Sequence, residues 1–358
     1  MTSNLFLVEP FYSGSHAQWA RDIQRFSRHN VHLFTLPGRN WKWRMASSAI
    51  PLAEQINQTS ESPDVILVSG MMDLPLFKSL LSADLQQIPI ILYLHETQLT
   101  YPWNEPDHRN RDRQYAWRNL TSMLVADEVV FNSSYHQEVV FEAIPTFLSA
   151  FPEQGYQTSF ESILHKSKVI SPGVDMDAIR AQPRVKSALP VILWNHRWEH
   201  DKNPESFLHL LQELKREGEA FQLIVCGEHF QHQPEAFESI RTEFEHEIIH
   251  WGYAESREQY LQLLRSSHVL PVTSNQEFFG LSVLEAIVAG VHPVLPNRLS
   301  YPSIYRDLNV FYGSFVEFLS QTKEALRQPA AYQLPSQLDQ YNWKNLIKKY
   351  DSLGLKTE

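Results

Sequence analysis

Short runs that are apolar at nearly every position, separated by helical patterns, occur twice along this chain and limit its fold more than any other feature. In the first half the runs are Leu5–Glu9, Val31–Thr35, Val65–Ser69, Ile88–Leu94 and Glu128–Phe131. Helical spacing between them covers Ala17–Arg28, Leu76–Ser82 and Ser134–Ser149. A strand apolar at every residue is covered on both faces, the condition of a parallel sheet between helices. Lys168-Val-Ile-Ser-Pro-Gly-Val-Asp175 ends a strand in a Pro-Gly turn, and a polar stretch with Pro183 and Pro190 follows. The alternation then restarts with Val191–Trp194, Pro204–Glu217, Phe221–Cys226, Ile248–Trp251, Arg257–Ser266 and Val269–Thr273. The expected fold is α/β, with two Rossmann-like doubly wound domains facing a central cleft. The domains are 1–167 and 191–335, joined by a linker over 168–190; in the closing segment 336–358 the pattern from Ser336 to Gly354 reads as one amphipathic helix. At 358 residues the chain is long enough for two cores.

Composition removes several function classes. The net charge of −10 argues against a nucleic-acid-binding surface over the whole chain. Charge is nevertheless clustered: of the 11 Lys and Arg in residues 1–160, seven fall in two stretches, Arg39–Arg44 and Arg109–Arg118. Both stretches contain tryptophan. No apolar run approaches a membrane span, so no stable membrane association is expected. A single cysteine, Cys226, excludes an internal disulfide and fits a reducing compartment. A strand starting at Leu5 leaves no room for a signal peptide, so the expected location is cytoplasmic. There is no P-loop, no Gly-x-Gly-x-x-Gly and no Gly-x-Ser-x-Gly, which speaks against an NTPase, a dinucleotide oxidoreductase and a serine hydrolase. His229 and His232 form no ligand set, and no metal is expected.

Three segments carry candidate chemistry, each where a strand gives way to a helix. In open α/β sheets ligands bind outside the carboxyl ends of strands. Pro10-Phe-Tyr-Ser-Gly-Ser-His16 places Gly14 where backbone approaches a ligand closely, or it is an ordinary capped turn. In Trp194-Asn-His-Arg-Trp-Glu-His-Asp-Lys-Asn203, Arg197 and Lys202 could clamp a diphosphate, or pair with Glu199 and Asp201. The third segment holds Glu277 and Glu285 with seven residues between. Backbone N–H groups of Phe279, Gly280 and Leu281 would point at an anion from the helix start. A carboxylate there suits sugar hydroxyls better than phosphate. His95, after the Ile88–Leu94 strand, could face the same cleft.

Glu277 with Glu285 resembles the paired-glutamate motif of retaining two-domain (GT-B) glycosyltransferases of the family 4 type. Ser171-Pro-Gly-Val-Asp175 looks like their interdomain segment, Trp251-Gly-Tyr253 like the loop near the nucleotide base, and Asn342-Trp-Lys-Asn345 like the start of their closing helix, which by this resemblance would cross back to the N-terminal domain. The broad family usually has Gly where this chain has His196. That form, with Val8-Glu-Pro-Phe-Tyr-Ser-Gly-Ser-His16, Leu36-Pro-Gly-Arg-Asn-Trp-Lys-Trp-Arg44 and Leu94-His-Glu-Thr-Gln-Leu-Thr-Tyr-Pro102, resembles the narrower tRNA-queuosine mannosyltransferases.

The resemblance implies a retaining transfer of mannose from GDP-mannose to the queuosine nucleoside of tRNA, without a metal or other cofactor. Gly14, Arg197, Lys202 and the N–H groups at Phe279, Gly280 and Leu281 would hold the donor diphosphate. Glu277 would accept hydrogen bonds from the sugar near the transition state, and Glu285 would bind the ribose. His95 and His16 would line the sugar or acceptor side, His95 as a catalytic residue. Splayed anticodon-loop bases stack on aromatics or Arg planes while cations meet phosphates. Trp41, Lys42, Trp43 and Arg44 are the leading acceptor residues, with Arg109, Arg111, Arg113 and Arg118 behind them. The alternative for these stretches is tryptophan packed at a core margin with its cations in water. A transferase for a lipid-linked or glycan acceptor would keep the donor side and change the N-terminal domain. A non-catalytic sugar-nucleotide binder would also keep the fold, against which stands the presence of both glutamates, the arginine and the lysine.

Overall fold

A computed structural model describes residues 2–102, 112–152, 157–185, 187–228, 234–328 and 331–354. The chain divides into two compact units: Met1–Gly173 with Gln340–Glu358, and Val174–Asp339.

The first unit contains β1 (Asn4–Tyr12), β2 (Asn30–Pro37), β3 (Val65–Ser69), β4 (Ile90–Leu94), β5 (Glu128–Phe131) and β6 (Ser167–Val169), ordered 2-1-3-4-5-6. All neighbours are parallel. The second holds β7 (Val191–Trp194), β8 (Gln222–Cys226), β9 (Ile248–Gly252), β10 (Val269–Pro271), β11 (His292–Pro296) and β12 (Phe311–Tyr312), ordered 12-11-10-7-8-9 and again parallel. Strands β3, β4, β7 and β10 are buried at every residue, as continuous apolar runs require. In each unit the winding reverses once, between β1 and β3 and between β7 and β10. Such switch points open a crevice above the strand ends where ligands enter.

The helix Gly14–Phe26 buries Ala17, Trp19, Ala20 and Ile23 against the first sheet. The helix Trp343–Tyr350 buries Trp343, Leu346, Ile347 and Tyr350, the i, i+3, i+4, i+7 stripe of an amphipathic helix. It packs within the first unit, with Trp343 Nε1 donating to Asp22 at 2.9 Å and Tyr350 Oη to the Ser171 carbonyl at 3.0 Å. A Cβ on Gly173 would stand 2.4 Å from Trp343 Cδ2, so only glycine admits this ring. The tail is not one helix over 336–354 as its pattern suggested. Ser336–Tyr341 is a 3-10 turn, and Asn342 caps a new helix by accepting from Lys344 N. Within 168–190, read as a linker, lie the end of β6 and a helix Met176–Ala181 capped by Asp175. The sequence patterns also missed two helices after β2, Trp41–Ser47 and Ala49–Asn57. No helix among the described residues is long and apolar enough to cross a membrane.

Candidate active site

In the second unit the loops after β7 and β10 are tied together at the switch point. Asp201 carbonyl accepts from Asn275 N at 2.7 Å, and Thr273 Oγ1 donates to the Lys202 carbonyl at 2.7 Å. Lys202 is buried, and its ammonium meets the Gln276 carbonyl at 2.8 Å, Asp201 at 3.1 Å and Glu277 at 3.3 Å. Burial works to lower its pKa, but the charges of Glu277 and Asp201 hold it above the ordinary lysine value. The converse applies to the acids. Burial works to raise Asp201 and Glu277, and Lys202 overcomes it, assisted by Arg197 at Asp201 and by His196 and the Phe279 N–H at Glu277. The site is thus a buried ammonium fixed between two ionised carboxylates.

Gly280 caps the helix Leu281–Val288 with φ of 84°, a left-handed conformation that favours glycine. The Phe279 N–H, expected to face an anion, donates to Glu277 Oε1 at 3.3 Å. Glu285 lies one turn into this helix and is 5 % exposed, so it is not on a solvated face. Its Oε1 pairs with Arg257 and its Oε2 accepts from Tyr260 Oη at 3.0 Å. Arg197 is exposed and pairs with Glu199 at 3.2 Å. His196 is buried, with Nδ1 3.2 Å from Ser282 Oγ; burial and then Lys202 bring its pKa down to about 4. Arg298, after β11, holds the carbonyls of Thr273 and Ser274, bracing the loop that carries Glu277. Tyr301 lies against Gly280, and burial followed by the Glu277 charge raises its phenol well above the ordinary range. Arg257, Tyr260, Arg298 and Tyr301 have no local sequence signal, because strand order alone brings them here.

In the first unit Gly14 opens the helix Gly14–Phe26 with φ of 48°, and a Cβ there would meet nothing within 4 Å. His16 and His95 come together, their ring centroids 4.0 Å apart, and both face Glu9. His95 lies well below the ordinary histidine pKa through burial, then the charges of His16 and His136. Glu9, His16 and His95 are the one set among the described residues whose ligand atoms lie within 4.8 Å, as a metal would need. Two imidazoles on one tetrahedral zinc, with bonds of about 2 Å, stand with their centroids about 5 Å apart. The His16 and His95 rings, tilted by 37° with centroids 4.0 Å apart, stand closer than that.

The tryptophan-basic stretch divides. Trp41 packs edge-on to Tyr115 at 5.2 Å beside buried Met45 and Met71. Trp43 is 65 % exposed on the same short helix. Lys42 lies over the Trp41 ring, and Arg44 donates to the Pro37 carbonyl. Arg113 reaches the Ala150 carbonyl at 3.4 Å; Arg118 pairs with Asp73 and lies over Tyr115. Arg109, Arg111, His229 and His232 fall outside the described residues.

Comparison with known proteins divides the chain at nearly the same point as its contacts do. Residues 4–174 match the family model "tRNA-queuosine alpha-mannosyltransferase N-terminal" and residues 175–328 match "Glycosyl transferases group 1". A tRNA-queuosine alpha-mannosyltransferase of Drosophila melanogaster is 31 % identical over 97 % of this chain and 95 % of its own length. Among solved structures, sucrose-phosphate synthase from Thermosynechococcus elongatus superposes with a TM-score of 0.69 at 14 % identity, covering 98 % of each chain. Anabaena HepE in complex with UDP and glucose gives 0.65 at 14 % identity, also over 98 % of each. The two parallel sheets and these likenesses make the fold GT-B.

Proposed function

Since the chain belongs to the tRNA-queuosine alpha-mannosyltransferase family and is a glycosyltransferase, we propose that it moves mannose from GDP-mannose to the queuosine nucleoside of tRNA with retention of configuration. The observation that carries the donor side is the buried Lys202–Glu277 pair at the β7/β10 switch point. As the bond from mannose C1 to the diphosphate breaks, its electron pair leaves on phosphate oxygen; the acceptor hydroxyl oxygen bonds to C1 on the same face and passes its proton to that phosphate oxygen. Lys202 and Arg197 neutralise that charge electrostatically, in the role a divalent cation would otherwise fill. Glu277 accepts hydrogen bonds from the sugar hydroxyls, and being held ionised it also favours an oxocarbenium-like centre. Glu285, steadied by Arg257 and Tyr260, accepts from the ribose.

The N-terminal unit takes the acceptor. Trp43, exposed beside Lys42 and Arg44, offers a stacking platform with cations for phosphates. His16 and His95 meet the nucleoside's hydroxyls. An acceptor of this kind sets the reaction in the cytoplasm. The test is to incubate the protein with labelled GDP-mannose and tRNA with or without queuosine. Label should enter only queuosine-containing tRNA; label entering a lipid or glycan instead would refute the acceptor.

A further inference from the structure

Outside the two tryptophan-bearing stretches, three more cations of the first half lie close together: Arg21, Arg25 and Arg28. All three are exposed, on the helix Gly14–Phe26 or just past its end. Lys344, Lys348 and Lys349 are exposed on the helix Trp343–Tyr350. The two helices bury their apolar sides in one cluster with Leu5, Leu7, Leu67 and Tyr93 of the sheet. They therefore cover the same face of the first sheet and turn their polar sides to the same solvent. Only two acids occur in residues 14–28 and 343–354, and both are buried. Asp22 accepts from Trp343 Nε1 at 2.9 Å, and Asp351 accepts from Ser27 Oγ at 2.6 Å and stands 3.9 Å from Arg28. Each acid thus ties one helix to the other. With six cations and two acids these segments carry a net +4, in a chain whose total is −10. Cations gathered against the sign of the whole chain repel one another, and a polyanion relieves that repulsion.

We propose that this two-helix face binds the phosphate backbone of the acceptor tRNA. The inference rests on the reading above that the acceptor is a tRNA whose nucleoside meets His16. At about 1.5 Å of rise per residue, Arg21 and Arg25 stand about 8 and 14 Å along the helix from His16. A backbone leaving a base held at the start of this helix passes these cations within a few nucleotides. Lysine and arginine on such a surface meet phosphates without reading bases. They add affinity for any tRNA and leave the choice of nucleoside to the site. No large apolar side chain is exposed in either segment, so the face lacks the apolar side with which a basic helix enters a lipid surface.

Arg21→Gln, Lys348→Gln and Lys349→Gln combined remove three of these charges at exposed positions, so the melting temperature should stay near that of wild type. Binding of tRNA is measured from about 50 to 200 mM salt. Each phosphate contact contributes about 0.7–0.9 to the slope of log affinity against log salt, so the slope should flatten by about 2–3. Over that range the wild type should lose about 20- to 40-fold more affinity than the variant. The variant's loss should be equal for tRNA with and without queuosine, and affinity for GDP-mannose should not change. Lys215→Gln, Arg216→Gln and Arg327→Gln combined remove the same charge from the second unit and should leave the slope as it is. A slope within about 0.5 of wild type in the first variant, or equal flattening in both, overturns the proposal. So does a first variant that binds tRNA as wild type does but loses binding to phosphatidylserine vesicles. If wild type puts no label into queuosine-containing tRNA, yet the slope flattens only in the first variant, the proposed function fails and the RNA surface stands.

Discussion

Replacing Lys202 with methionine removes one charge from a buried triad and leaves two carboxylates facing each other. Their oxygens stand 3.1 Å and 3.3 Å from the ammonium. At an effective dielectric of 20, each attraction is about 5 kcal/mol, much of it offset by desolvating three charges. Removing one partner of such a group typically costs about 3–5 kcal/mol, because the remaining charges stay buried. Glu277 keeps some water contact, so about 3–4 kcal/mol is expected at pH 7. For a unit of this size that lowers the melting temperature by roughly 6–16 °C.

The pH dependence has a definite sign. Asp201 and Glu277 have folded pKa values below their unfolded ones. Their stabilisation is therefore complete above about pH 4–4.5 and is lost as pH falls through the folded values. In Lys202→Met the carboxylates lose the charge that lowered them and protonate earlier. Acidification should thus narrow the gap between wild type and variant. Calorimetric melts at pH 7 and pH 4.5 test this. A variant melting within about 2 °C of wild type at pH 7, or a gap that widens in acid, would refute the triad as a coupled charge group.

Glu277→Gln should keep the fold and lower transfer by about 10²–10³-fold, as loss of one preorganised electrostatic group does; turnover near wild type in the labelled-tRNA assay would remove Glu277 from the chemistry. Trp43→Ala should change stability by under about 0.5 kcal/mol, yet weaken tRNA binding by about 1–3 kcal/mol. Trp41→Ala should instead lower the melting temperature, since that ring is packed; a binding titration and a melt on each variant check the division. Exhaustive chelation with EDTA should leave transfer unchanged, whereas loss restored by zinc in the wild type and not in His95→Gln would place an ion among Glu9, His16 and His95.

Much of the fold was legible in the sequence because burial on both faces writes itself into a strand as an unbroken apolar run. Strands Val65–Ser69, Glu128–Phe131 and Val191–Trp194 have the bounds their composition implies. The tail misled because its apolar spacing continues through Asn342, while that side chain's bond to Lys344 N starts a new helix. Trp41 and Trp43 were inseparable on paper. Two residues apart on a helix they point about 200° from each other, so one packs on Tyr115 and the other meets solvent.

By itself, the sequence determined two parallel sheets, a basic loop after β7 and a paired-glutamate segment after β10, all of which depend on residues close together in the chain. Only the tertiary structure decided that Lys202 sits between Asp201 and Glu277, that Arg257 and Tyr260 hold Glu285, and that Glu9 faces His16 and His95. The reason is the winding: at a switch point neighbouring strands are not consecutive, so the loops that meet there come from distant parts of the chain. Which strands become neighbours is decided by how the helices pack over the sheet.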